Sequence, residues 1–233
     1  MKKSIILIIF IWQAFLFFGQ ELKTKKMKVD EAEGVATFYV LASNDTVKHG
    51  TYQIKAYTGN RILLSGTYDN NKKEGLWTEQ YYGESYAGPK ATGNYDNDIK
   101  IGNWTYFNYQ GDTVMIYNWS DFKVILNKYC QTNPFNNCPP TCVTGRDYFL
   151  YEISGYIEEQ LMNFEIPEFR TKISITVDKN GAVSDISFST SEKPQLVIGI
   201  EEFIKSFRWI PGRENSEEAT SKFEFSIDIS SQF

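Results

Sequence analysis

Glu74-Gly75-Leu76-Trp77 returns 27 residues later as Ile101-Gly102-Asn103-Trp104, and a looser copy, His49-Gly50-Thr51-Tyr52, stands 25 residues upstream. A second signature precedes the two stronger copies: Ser65-Gly66-Thr67-Tyr68-Asp69-Asn70 and Thr92-Gly93-Asn94-Tyr95-Asp96-Asn97, again 27 apart. Each unit reads Gly-x-Tyr-Asp-Asn, a short polar stretch, then Gly-x-Trp and an aromatic run, Tyr81-Tyr82 or Tyr106-Phe107. The polar stretches, 69–74 and 96–100, have the Asp, Asn and Lys content of hairpin turns. Aromatic and β-branched residues flank them, as strands require. One hairpin cannot bury its aromatic face alone, so the units are expected to stack into an elongated twisted sheet. The repeated glycines mark places where the ribbon twists or a ring crosses bare backbone. Residues 34–42 read as an opening strand, and the charged stretch 21–33 before them as a solvated lead-in.

The repeat, residues 48–119, resembles the MORN-type repeat and its bacterial relatives described as antitoxin-like components. The likeness is sharpest at Lys72–Trp77 and Lys100–Trp104, where Gly75, Trp77, Gly102 and Trp104 carry the motif. It implies a structural and interaction repeat without catalysis, its rings packed against the next hairpin. An alternative use of exposed rings such as Tyr81, Tyr82 and Tyr86 is stacking on a carbohydrate.

The chain has 233 residues, 24 Lys+Arg, 29 Asp+Glu and one His. The net charge of −5 argues against a phosphate-binding surface, so no nucleic-acid partner is expected. A lone histidine removes most imidazole-based catalysis and His-rich metal sites. Lys2 and Lys3 precede an apolar run from Ile5 to Phe18, shorter than the roughly 20 residues of a membrane span. Residues 1–19 therefore read as a cleaved signal peptide, processed near Gly19–Gln20. The expected location is exported: periplasmic, outer-membrane-associated or secreted, with no integral membrane segment after processing. From Gln20 to Phe149 the chain carries 14 basic and 14 acidic residues; from Leu150 onward, 8 basic and 15 acidic. That shift places a boundary around residues 127–147.

Cys130, Cys138 and Cys142 lie in this boundary with Pro134, Pro139 and Pro140, a composition that reads as a loop between modules. In an exported protein such cysteines oxidise, and an odd number leaves one over. Cys130–Cys138 and Cys130–Cys142 both close comfortable loops. A zinc site would need a fourth ligand with only His49 to offer, and Cys-Pro-Pro-Thr-Cys lacks redox spacing, so neither metal nor cofactor is expected.

Past Asp147 the pattern turns helical: Phe149, Ile153, Tyr156, Ile157, Leu161 and Phe164 recur at threes and fours, with Asp147 as N-cap. Ile173, Ile175 and Val177 alternate into an Asp178–Gly181 hairpin turn, whose Asn180-Gly181 supplies φ > 0. A return strand follows, then a helix from Pro194 to Phe207. The last strand, Ser221–Ile229, sets Phe223, Phe225, Ile227 and Ile229 inward and Lys222, Glu224, Ser226 and Asp228 outward. The order α-β-β-α-β with an antiparallel sheet is similar to the C-terminal domain of TonB, the energy transducer of outer-membrane transport. The likeness rests on Val177-Asp178-Lys179-Asn180-Gly181-Ala182-Val183 and on Trp209-Ile210-Pro211-Gly212. Trp209 is expected to anchor the helix-to-strand corner, with Pro211 and Gly212 completing the structural motif.

The expected fold is mainly β with an α+β C-terminal domain: a MORN-like β-hairpin repeat module (20–126), a Pro/Cys linker (127–146) and a TonB C-terminal-like domain (147–233). The two modules are expected to fold independently. No nucleophile-with-base motif, phosphate-cradling loop or His-Glu-x-x-His occurs. The expected function is a non-catalytic envelope adaptor, linked through the TonB resemblance to outer-membrane transport. It would bind a protein or peptide by strand-edge pairing along Lys222, Glu224, Ser226 and Asp228. A homodimer is a second use of that edge. A glycan- or cell-surface-binding repeat protein is the alternative, and an enzyme is less favoured than either.

Overall fold

The computed structural model describes residues 20–29, 34–58, 61–82, 88–131, 138–163, 168–189, 194–215 and 217–230. The signal segment 1–19, Phe164 and Tyr86 lie outside them. Nine strands form one sheet in strict chain order, each antiparallel to the next: β1 (Leu22–Val29), β2 (Gly34–Leu41), β3 (Asn44–Ala56), β4 (Ile62–Asp69), β5 (Lys72–Gln80), β6 (Pro89–Asp96), β7 (Ile99–Phe107), β8 (Thr113–Asn118) and β9 (Lys123–Asn127). The charged stretch read as a lead-in is therefore β1, paired along its whole length with β2. Four lysines on a strand are the usual covering of a sheet edge, which is why composition alone suggested a solvated segment.

The turns of the two strong repeats need two consecutive residues with positive φ, Asn70–Asn71 and Asn97–Asp98. Asn and Asp tolerate that region, and the paired conformation matches strand twist. Each turn also reaches back to the preceding hairpin. The Lys48 N–H donates to Asn71 Oδ1 (2.7 Å) and the Lys73 N–H to Asp98 Oδ1 (2.7 Å). The same spacing thus builds each turn and ties it to its neighbour.

Between the rings, the two kinds of glycine divide the work. A Cβ on Gly66 would lie inside the Trp77 ring, and one on Gly93 inside the Trp104 ring. Gly75 and Gly102 instead hold φ of 62° and 57° with open space around them. The result is a continuous row of rings, Phe38, Tyr52, Trp77, Tyr95, Trp104 and Tyr106, with neighbouring centroids 5.0–6.3 Å apart. Lys48, Lys73 and Lys100 lie over it at the repeat period, Lys100 Nζ 3.9 Å from the Trp104 ring centre.

The boundary segment is more than a loop. It holds α1 (Lys128–Gln131), a Cys130–Cys138 disulfide and β10 (Thr141–Cys142). β10 pairs with β13 (Trp209–Ile210), and Cys138 exchanges two backbone hydrogen bonds with Arg213 on β14 (Gly212–Glu214). Cys142 is the free thiol; burial pushes it up to about 12, so it stays protonated and inert.

The C-terminal part runs α2 (Arg146–Asn163), β11 (Glu168–Val177), β12 (Val183–Phe188), α3 (Pro194–Ser206) and β16 (Ser221–Ser230), with β15 (Glu217–Ala219) closing a small hairpin on β14. Asp147 sits inside the first turn of α2 and is not its N-cap. Its Oδ2 accepts the Tyr109 N–H across the modules (3.4 Å). Phe149, Ile153, Ile157 and Leu161 of α2 and Leu196, Ile200 and Ile204 of α3 cover the apolar face of a three-stranded sheet ordered β12-β11-β16. At the corner, the Trp209 Nε1–H donates to the Ile204 carbonyl (3.1 Å) and its ring meets Phe149 and Phe223. Gly181, at φ 82°, leaves room for the Trp209 carbonyl, so the hairpin turn and the Trp-Ile-Pro-Gly element abut.

The two modules are in contact across a packed junction. Tyr148 and Val143 belong to the core of the hairpin sheet, with Phe207 and Ile210 packed against it. The Tyr148 hydroxyl donates to Glu79 Oε2 (2.9 Å), and Lys90 bridges Glu79 (3.6 Å) and Glu152 (2.5 Å). These groups come from β5, β6 and α2, and the apolar periodicity of α2 alone gave no sign that its opposite side was also spoken for.

Candidate functional site

β11 and β16 pair over ten residues without a break in register. Their hydrogen bonding follows from one neighbour. The Lys172 carbonyl accepts from the Ser189 N–H (3.0 Å) and the Lys172 N–H donates to Ser189 Oγ (2.8 Å), so the Lys172 backbone faces the β12 side. In an antiparallel ladder alternate residues face alternate neighbours. Thr171, Ile173 and Ile175 therefore bond to β16, opposite Ile227, Phe225 and Phe223. Ser226, opposite Lys172, turns its N–H and C=O away from β11, and so do Lys222, Glu224 and Asp228. Among the described residues no strand lies beyond β16, which leaves that four-residue backbone row open.

The side chains follow the same alternation. Phe223, Phe225 and Ile227 are buried against the helices, whereas Lys222, Glu224, Ser226 and Asp228 are exposed. The burial of Ile229 lies outside what the structure describes. Two ion pairs cross to β11: Lys172 Nζ to Glu224 Oε2 (2.8 Å) and Arg170 Nε to Asp228 Oδ1 (2.8 Å). The Lys172 hydrogen bond and charge hold the Glu224 carboxyl below the usual glutamate range. Being exposed, these pairs contribute little to stability and are screened by salt. They do fix the outward face of the edge as an ordered pattern of charge, which deters unmatched strands and permits a matched one.

Of the rings offered for carbohydrate stacking, Tyr81 is 0% exposed; its hydroxyl donates to the Phe107 carbonyl (2.8 Å), and its ring packs on Tyr109 and Tyr151. Tyr82 is half-buried, and its N–H donates to the Tyr151 hydroxyl (3.2 Å). Tyr81 meets α2 through the Tyr151 ring, and Tyr82 packs against the hairpin core. Neither presents a free ring to a sugar.

Two features escaped the sequence reading. One is the half-buried charge cluster of Glu79, Lys90 and Glu152. Burial works to raise Glu79, but Lys90, Lys100 and the Tyr148 hydroxyl outweigh it and hold the carboxyl below its ordinary value. Burial works to lower Lys90, and Glu152 and Glu79 reverse that and raise it. The other is β1, a second open edge whose signal, lysines at alternating and adjacent positions, was already visible in Lys23, Lys25, Lys26 and Lys28. No helix among the described residues is long and apolar enough to cross a membrane, and no cluster of His, Cys, Asp and Glu among them could hold a metal ion.

No protein-family model matches the chain, and neither the curated proteins nor the solved structures contain a significant match to it.

Proposed function

We propose that this chain is an exported, non-catalytic interaction protein of the bacterial envelope that binds a protein or peptide partner by adding its strand to β16. The observation that carries the reading is the outward backbone row of Lys222, Glu224, Ser226 and Asp228. A partner strand gains main-chain hydrogen bonds there, and its alternate side chains meet an ordered set of charges that sets specificity. The α-β-β-α-β order and the abutting of Gly181 on Trp209 support a TonB C-terminal-like module, and the stacked hairpins support a MORN-type scaffold that displays it. Coupling to outer-membrane transport follows from that resemblance. The Cys130–Cys138 disulfide is consistent with an oxidising compartment.

Ser226→Pro tests the reading. Its N–H points away from β11, so proline removes one open donor and no internal hydrogen bond, and edge strands accept proline. Wild type and variant, matched for thermal stability, are compared for capture of partners from an envelope fraction. Loss of capture by a folded variant is expected. Unchanged capture would show that the β16 edge is not the docking site.

A further inference from the structure

The second open edge supplies a partner strand for the first. The Glu21 carbonyl accepts from the Ala42 N–H (2.8 Å), so by alternation Lys23, Lys25 and Met27 turn their backbone toward β2. Leu22, Thr24, Lys26 and Lys28 turn theirs outward, and among the described residues no strand lies beyond β1. These are two outward rows of four residues each, in separate sheets, whose other ends among the described residues are β9 and β12. Their charges differ. β1 has four lysines and no acid, whereas β16 has Glu224 and Asp228 on its outward face, within a C-terminal stretch from Leu150 onward of 8 basic and 15 acidic residues.

We propose that the chain associates with a second copy of itself head to tail, β1 of one copy adding antiparallel beside β16 of the next. This rests on the open β16 edge of the proposed function and names one occupant for it. One register matches charge on one face and sets apolar residues together over part of the other, where Lys25 comes beside Ile227. With Lys28 opposite Glu224, Lys26 falls opposite Ser226, diagonally between Glu224 and Asp228, and Thr24 falls opposite Asp228. Lys222 then lies past the end of β1 and meets no lysine. On the other face the same register sets Val29 beside Phe223 and Met27, now 53% exposed, beside Phe225. Moving the strand by two residues one way brings Lys28 against Lys222; the other way keeps a matched pair, Lys26 opposite Asp228, so charge confines the strand to these two registers. Opposite charges directly across a pair favour it and like charges oppose it. The contact is heterologous, so each added copy leaves one β1 and one β16 free, and assembly does not stop at two.

The test is sedimentation velocity of the full chain at low salt over a range of concentrations, with folding checked by circular dichroism. Lys26→Pro blocks only the β1 row and Ser226→Pro only the β16 row. The expected result is a wild-type mass that climbs past the dimer, each variant monomeric alone, and an equimolar mixture that forms a dimer and goes no further. A monomeric wild type, a dimer abolished by only one variant, or no association in the mixture would overturn it. Lys28→Glu, a solvent-exposed change compatible with the fold, gives a second reading. It should weaken association about tenfold or more, and Glu224→Lys in the same chain should restore it. Failure of that rescue counts against the register. If Ser226→Pro loses envelope partners while the wild type remains monomeric, the edge-docking reading stands and self-assembly falls; the β16 occupant is then a foreign strand.

Discussion

Gly66 and Gly93 carry more of the fold than Gly75 and Gly102, although all four recur at the same period. Gly93→Ala would drive a methyl into the Trp104 ring, whose Nε1–H is held by the Asn94 carbonyl at 3.0 Å and cannot swing aside. The expected cost is about 3 kcal/mol or more, an overpacking penalty in a closed site. Gly75→Ala meets open space and pays only for φ of 62°, about 1–2 kcal/mol. Urea unfolding of the two variants should separate them clearly; equal losses would mean that the ring-over-backbone contact is not what the glycine secures. The period of these glycines was legible in the sequence, but their different duties were not, because Trp77 and Trp104 cross to the neighbouring strand and linear spacing does not record cross-strand register. The partners of Tyr81 were illegible for the same reason: the carbonyl that takes its hydroxyl, Phe107, lies 26 residues away.

At the scale of elements, α2 joins the two halves through charge as well as apolar packing. Glu79, Lys90 and the Tyr148 hydroxyl form a partly desolvated group between β5, β6 and α2. Glu79 has a lowered folded-state pKa, so its contribution is present above the ordinary glutamate value and is lost as pH falls through the depressed one. Lys90 has a raised one, so its contribution is present below the ordinary lysine value and is lost as pH rises through the raised one. Glu79→Gln should therefore cost about 1–3 kcal/mol near pH 7 and progressively less at an acid pH below the ordinary glutamate value, as the wild-type carboxylate becomes protonated. Denaturant melts of both proteins at the two pH values check this. A cost that does not shrink in acid would mean that Glu79 acts by packing and not by charge. The helix and strand patterns of this half were readable from Phe149, Ile153 and Ile157 and from the alternation of Phe223, Phe225 and Ile227. The junction was not, since Glu79, Lys90 and Glu152 look like ordinary surface residues until the topology brings three elements together.

Among the described residues, the chain is a long hairpin sheet joined to an α+β unit, with outward backbone rows along the edge strands β1 and β16. β1 protects its edge with lysines, and β16 protects its own with ion pairs to Arg170 and Lys172. The functional account turns on the second of these being an ordered but unpaired row. Amide hydrogen exchange, resolved residue by residue on β16, measures that directly. The account predicts alternation: slow exchange at Phe223, Phe225 and Ile227, whose N–H groups bond to β11, and fast exchange at Lys222, Glu224, Ser226 and Asp228. Added partner strand should slow the second set and leave the first unchanged. Uniform protection along β16 in the free protein, or no protection of Glu224 and Ser226 when a partner is bound, would contradict it.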